Sequence, residues 1–182
     1  MKDLLHIRPA KLADLTHMLQ FETNNQEWFA DFLPHYSGHA PSLSLIKKRL
    51  LNDDAGMQFL VCLHNGKIVG RFNAQYLDQN KDTIEVSYRI DKCFVNRGIA
   101  QFALKHLLLV WACRGVRDIY AKVADYNKSS IKVLLSCGFW VDEFCPQTVN
   151  LKSQPQEGWI FRWSVSQAPA QGANQFDRVL SY

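Results

Sequence analysis

An α+β fold, with a mixed and mostly antiparallel sheet flanked by helices, is what this sequence predicts, on three observations. Asn65-Gly66 stands between two apolar runs, the strongest short signal for a hairpin. Residues 83–90 alternate strictly between apolar and polar side chains, as a strand does. The apolar residues between Gly98 and Trp111, and again between Asn127 and Cys137, recur at helical spacing. The chain has 182 residues, 47% hydrophobic and 12% aromatic, enough to bury about 70% of its unfolded surface around one core. We therefore expect one domain over residues 1–166, followed by a tail, 167–182, rich in Gln, Ala, Gly and Asn.

Leu4 to Arg8 reads as a short strand, and after Pro9 the spacing of Leu12, Leu15, Met18 and Leu19 predicts a helix. Trp28, Phe29, Phe32 and Leu33 form an aromatic cluster ending at Pro34, either core or the wall of a substrate site. Ser42 caps a helix carrying Leu43, Ile46 and Leu50. Strands Gln58 to Leu63 and Ile68 to Phe72 flank the Asn-Gly turn. In the next strand Ile84, Val86, Tyr88 and Ile90 point one way while Glu85, Ser87 and Arg89 point the other. Strands on either side make it an interior strand, where a polar row lines a cleft. The helix from Gly98 ends at Arg114-Gly115, and Val116 to Ala124 is a strand. A helix from Asn127 to Cys137 buries Ile131, Leu134 and Leu135, and two strands follow, Phe139 to Phe144 and Trp159 to Val165.

Several functions are excluded early. The formal charge of +4 is too weak for a nucleic-acid protein, and Lys47, Lys48 and Arg49 read as the solvated face of a helix. No apolar stretch approaches the ~18 residues a bilayer requires, and Asp3, His6 and Arg8 occupy the place of a signal peptide's apolar run, so a cytoplasmic protein is expected. Five cysteines without a CxxC pair give neither a disulfide framework nor a zinc ribbon, and Cys113 and Cys137 lie in apolar segments as small buried residues. His35 and His39 have no nearby third ligand, so no metal is expected.

Val95-Asn96-Arg97-Gly98-Ile99-Ala100 bridges a strand and a helix start, where unpaired backbone N–H groups and the helix dipole can hold a phosphate. Gly98 permits close approach of backbone to ligand, and Ala100 is small. This turn resembles the acyl-CoA pyrophosphate loop of the GNAT superfamily of N-acetyltransferases, Q/R-x-x-G-x-G/A. Gly98 and Ala100 match, while Val95 departs from the usual Gln or Arg. At a distance of 29 residues from Gly98, Asn127-Lys128-Ser129-Ser130 followed by Cys137-Gly138-Phe139 resembles the family's second signature. Within the superfamily the sequence is most similar to the RimJ/RimL group, which acetylates N-terminal amines of ribosomal proteins. That impression rests on Phe21 to Asn25 leading to Phe29 and Pro34, on Glu85 to Ile90, and on Leu107 to Ala112.

The resemblance implies acetyl-CoA as cosubstrate. Its pantetheine arm would lie at Ile90 and its pyrophosphate on the backbone of Val95, Asn96, Arg97, Gly98, Ile99 and Ala100. Asn127 would contact it from the next helix, and the same residue is placed to cap that helix.

Acetyl transfer needs a neutral amine, and an α-amine with pKa near 8 is about 10% neutral at pH 7, against about 0.04% for lysine. One carboxylate, acting directly or through water, suffices for an N-terminal amine. Glu85, on the polar face beside the cofactor strand, is the candidate base, and the resemblance supports that position. Some relatives use a hydroxyl seven residues beyond the signature Asn as the acid; here that residue is Leu134, so no acid is assigned by match. Ser130 and Tyr126 are near in sequence alone and are left outside the site. Asn25, Phe29 and Leu33 are expected to line the acceptor groove. The acceptor readings are a protein N-terminus, a ribosomal protein foremost, or a small amine such as a polyamine, an amino acid or an aminoglycoside. A CoA-binding module without catalysis is the third reading, from Val95 and Leu134. No nucleic acid or membrane partner is expected. A monomer is the default, with a dimer docked through Phe176, Val179 and Leu180 of the tail as the alternative.

Overall fold

The structure, a computed structural model, describes residues 5–32, 41–52, 56–151 and 154–166. A seven-stranded sheet runs through them in the order β1-β2-β3-β4-β5-β7-β6. Strands β1 (Leu5–Pro9), β2 (Met57–Leu63), β3 (Ile68–Tyr76) and β4 (Thr83–Ile90) are antiparallel neighbours. On the other side β5 (Asp118–Ala124), β6 (Trp140–Leu151) and β7 (Gln154–Ser164) are also antiparallel. The two groups meet in one parallel pairing, β4 with β5, reached through helix α4 (Ile99–Cys113).

Helices cover both faces. Against one lie α4 and α5 (Lys128–Ser136), burying Leu104, Leu107, Trp111, Ile131 and Leu134 on Ile84, Val86, Ile119 and Ala121. Alternation along the strands supplies that face, since residues two apart share it. The opposite face carries a smaller core in which Met18 and Phe21 of α1 (Leu15–Asn24), Phe29 of α2 (Gln26–Ala30) and Ile46 of α3 (Leu43–Leu51) pack on Leu60, Cys62 and Ile68.

The hairpin forms where Asn65-Gly66 predicts it. Gly66 N–H donates to Leu63 O at 2.9 Å with Gly66 at φ 83°, and the register slips by one between Val61 and Cys62. A turn closed by a left-handed glycine and accompanied by a bulge is a standard solution for a loop longer than two residues. Ser42 caps α3, its Oγ accepting from Leu45 N–H at 3.3 Å.

Three expectations need correction. Part of the segment read as an aromatic cluster forms a further short helix, α2, separated from α1 by Asn25, whose side chain bonds to the Phe21 carbonyl. Strands β6 and β7 are longer than the apolar runs 139–144 and 159–165, since pairing with each other carries both through a polar stretch with an irregular register between Cys145 and Val149. Cys113 is exposed as the last residue of α4, whereas Cys137 is buried as expected. Lys47, Lys48 and Arg49 are exposed on α3. His35, His39, Leu33 and the tail 167–182 lie outside the described residues. No helix among the described residues is long and apolar enough to cross a membrane.

Candidate active site

Only three residue pairs join β4 to β5, Thr83 with Asp118, Ile84 with Ile119 and Glu85 with Tyr120. Beyond Glu85 the two strands part, and a cavity of about 460 Å³ opens between them. It is lined from both faces of the sheet. Tyr88, Ile90, Ala121 and Val123 meet residues of α4 and α5, while Ser87, Arg89 and Lys122 meet Trp28, Phe29 and Phe32 at the end of α2. The gap is thus a passage through the sheet with two chemically different mouths.

At the first mouth stands the turn before α4. Asn96 has φ 58° and Gly98 φ 72°, so two nearby residues take the left-handed conformation, and an L side chain at 98 would be strained there. Gly98 is the N-cap and has no side chain to bond the first helical amides. Those N–H groups have no acceptor one turn earlier, and they carry the positive end of the helix dipole, which makes the turn an anion cradle. Ile90, Val95, Asn96, Gly98, Ile99 and Ala100 all line the cavity. Arg97 does not; it is exposed and its guanidinium lies 5.1 Å from the Phe94 ring centre. Asn127 lines the cavity and also caps α5, its Oδ1 accepting from Ser130 N–H at 3.1 Å. Lys132 adds a cation on the same side.

The second mouth is built by side chains. Glu85 lies on the same strand face as the lining residues Ser87 and Arg89, and its carboxylate meets Lys122 Nζ at 2.7 Å. Lys122 lines the cavity and Glu85 does not. Beneath Arg89 is a buried ion cluster: Glu22 Oε1 accepts from Arg89 Nε at 2.9 Å and also from Arg71. Arg71 donates in addition to Gln58 Oε1 at 2.9 Å. Burial, and next the charge of Arg89, push the Arg71 guanidinium down to about 9, which leaves it cationic at neutral pH.

Of the three residues expected at the acceptor side, Phe29 lines the cavity and also belongs to the smaller core. Its aromatic cluster is therefore both core and wall, with Trp28 and Phe32 packed edge to face at 4.9 Å. Asn25 is buried away from the cavity wall. Its Nδ2 donates to Phe21 O at 3.0 Å and its Oδ1 accepts from Lys92 N–H at 2.9 Å, tying α1 to the end of β4. Leu33 falls outside the described residues.

Nothing in the sequence signals a hydroxyl pair in the passage. Tyr88 Oη and Ser130 Oγ are 2.8 Å apart, and both residues line the cavity. Burial raises the Tyr88 phenol, so it stays protonated at neutral pH. Alternation on β4 puts Tyr88 on the α5 side, but that it meets Ser130, 42 residues on, is a tertiary fact. Lys122 escapes sequence reasoning for the same reason. Among the lining residues described, the charged ones are Arg89, Lys122 and Lys132, all cations. No group of three or more His, Cys, Asp or Glu among the described residues is arranged to hold a metal ion.

A passage through a sheet at a parting of parallel strands, with an anion cradle at one mouth, can take a phosphate-bearing ligand from one side and a second reactant from the other. The chain belongs to the acetyltransferase (GNAT) domain family, whose model matches residues 5–140. It is an N-acetyltransferase fold with acetyl-CoA as cosubstrate, and the left-handed Gly98 with its uncapped amides fits a pyrophosphate. The structure is similar to the ribosomal-protein-S5-alanine acetyltransferase from Vibrio fischeri, with TM-score 0.81, 18% identity, 92% of this chain and 96% of that chain covered. It is similar to RimL, a ribosomal α-N-protein acetyltransferase solved with coenzyme A, with TM-score 0.81, 18% identity and coverage of 90% and 96%. A spermidine N-acetyltransferase from Vibrio cholerae, with CoA and spermine, gives TM-score 0.76, 17% identity and coverage of 92% and 99%. No curated protein matches the chain by sequence.

Proposed function

We propose that this enzyme acetylates the N-terminal α-amine of a protein in the cytoplasm, a ribosomal protein being the substrate the RimJ/RimL resemblance favours. The observation that carries the reading is the second mouth, an aromatic rim of Trp28, Phe29 and Phe32 beside Ser87, with the Glu85 carboxylate paired to Lys122 of the lining. An extended peptide end fits such a mouth, and an α-amine asks for modest base assistance. A polyamine acceptor, the alternative prompted by the spermidine enzyme, would be held by carboxylates, and the described lining offers none.

Acetyl-CoA supplies an acetyl group on a thioester. On this chain, the amides of Val95 to Ala100 hold the pyrophosphate, and the parted edges of β4 and β5 hold the arm that leads to the reacting carbon. Glu85 takes one proton from the ammonium through a water, since its carboxylate is paired with Lys122 outside the cavity lining. The neutral amine then attacks the thioester carbonyl; as the C–N bond forms and the C–S bond breaks, the second nitrogen proton passes through water to the departing sulfur, so that the products are the amide and CoA thiol. The Ser130 hydroxyl, backed by the protonated Tyr88 phenol, is the donor in the passage placed to hydrogen-bond that sulfur.

Mass spectrometry of a mixed peptide pool, with free Ala-, Ser- and Met- amino termini and internal lysines, tests the reading. We expect one acetyl group on selected termini. Modified lysine side chains, or turnover of small amines alone, would overturn it.

A further inference from the structure

We infer that the acceptor mouth selects an amine that carries a carboxylate close to it. Resting on the acceptor reading above, this names the chemistry the substrate brings: an acidic side chain beside the N-terminus or, in the small-amine case, the carboxylate of an amino acid. Among the described residues, the two charged ones lining that mouth are Arg89 and Lys122, both cations. Behind them Arg71 and Arg89 converge on the Glu22 carboxylate, with side chains 4%, 7% and 3% exposed for Arg71, Arg89 and Glu22, so Arg89 is held in place at the cavity wall.

The Glu85–Lys122 pair adds no net charge but sets direction. Its partners are 2.7 Å apart, with Lys122 in the cavity lining and Glu85 outside it. An incoming ammonium meets cations first, and an incoming carboxylate meets an ammonium and a guanidinium. The third lining cation, Lys132, belongs to α5 at the cosubstrate mouth and does not enter this selection. A carboxylate bound near Lys122 draws that ammonium from Glu85. The base is thereby freed beside the amine it serves, so recognition and activation are linked.

The test compares peptides identical but for Asp, Ala or Lys at the second position, together with free glutamate and spermidine, on wild type and Lys122→Met. Turnover is read as kcat/KM, and binding to the CoA-loaded enzyme as tryptophan fluorescence, so the preference is measured even where turnover is slow. We expect Asp over Ala by about tenfold, Lys below Ala, and a loss of the Asp preference with added salt. Lys122→Met should reduce the Asp-to-Ala ratio to about threefold or less while acetyl-CoA affinity is unchanged. The Lys122 side chain is 43% exposed, so its removal leaves the core intact. Equal or better binding of the Lys peptide or spermidine overturns the inference, as does an unchanged ratio in the variant. If glutamate reacts while no peptide does, the protein N-terminus is the wrong acceptor but the carboxylate selection stands.

Discussion

The two mouths of the passage are made by different means. At the mouth beside α4 the backbone is the feature: a left-handed glycine and a helix start without a side-chain cap offer amides suited to an anion, whatever the neighbouring side chains are. At the other mouth the lining is made by side chains of α2, β4 and β5, among them the cations Arg89 and Lys122. A backbone site can keep its chemistry while its sequence drifts, as Val95 in place of Gln or Arg illustrates. A side-chain site changes its ligand with one substitution. The RimL and spermidine N-acetyltransferase structures, 18% and 17% identical to this chain, were both solved with coenzyme A and are named for different acceptors.

Removing the carboxylate under the acceptor mouth should disturb this contrast most. Glu22→Leu leaves Arg71 and Arg89 facing one another without their shared anion, and the expected loss is about 3–5 kcal/mol. Thermal unfolding should fall by roughly 6–20 °C for a chain of this size; an unchanged midpoint would show that the arginines are hydrated and not a buried cluster. Next is Glu85→Gln, for which turnover should drop about 100-fold, near 2.7 kcal/mol, with acetyl-CoA affinity intact. Wild-type turnover there would remove Glu85 from the reaction.

Gly98→Val addresses the other mouth. A branched side chain in the left-handed region is strained by about 1–2 kcal/mol, and a β-branched group would crowd the cradle, so acetyl-CoA binding should weaken at least about tenfold by calorimetry. The smallest effect is expected at Tyr88→Phe. Loss of its bond to Ser130 should lower kcat a few-fold, about 1 kcal/mol, without change in cosubstrate affinity. A larger fall than that of Glu85→Gln would make the phenol the main proton donor.

How far each mouth is legible in the sequence follows the same division. The turn before α4 is contiguous, so Gly98 and its neighbours can be read from one segment, and Asn127 from a second. Period-two alternation likewise places Glu85, Ser87 and Arg89 on one strand face from the sequence by itself. What alternation cannot tell is which distant residue faces that row. Lys122 reaches Glu85 across the parallel pairing, Glu22 reaches Arg71 and Arg89 across 49 and 67 residues, and Ser130 reaches Tyr88 across 42. Asn25 reads as a groove residue in the sequence because an asparagine at a helix end serves a ligand or the backbone equally well, and only its bond to Lys92 N–H decides.

The three residue pairs between β4 and β5 also bear on how the sheet assembles. Every other pairing is antiparallel and, β5 with β7 apart, joins consecutive strands. The parallel seam must wait for α4 to close the crossover, and so few rungs return little for that closure. We therefore expect the seam to form late. Pulse-labelling hydrogen exchange during refolding should protect amides of the β2–β3 hairpin before those of residues 83–85 and 118–120, and simultaneous protection would mean that the two halves of the sheet condense as one unit.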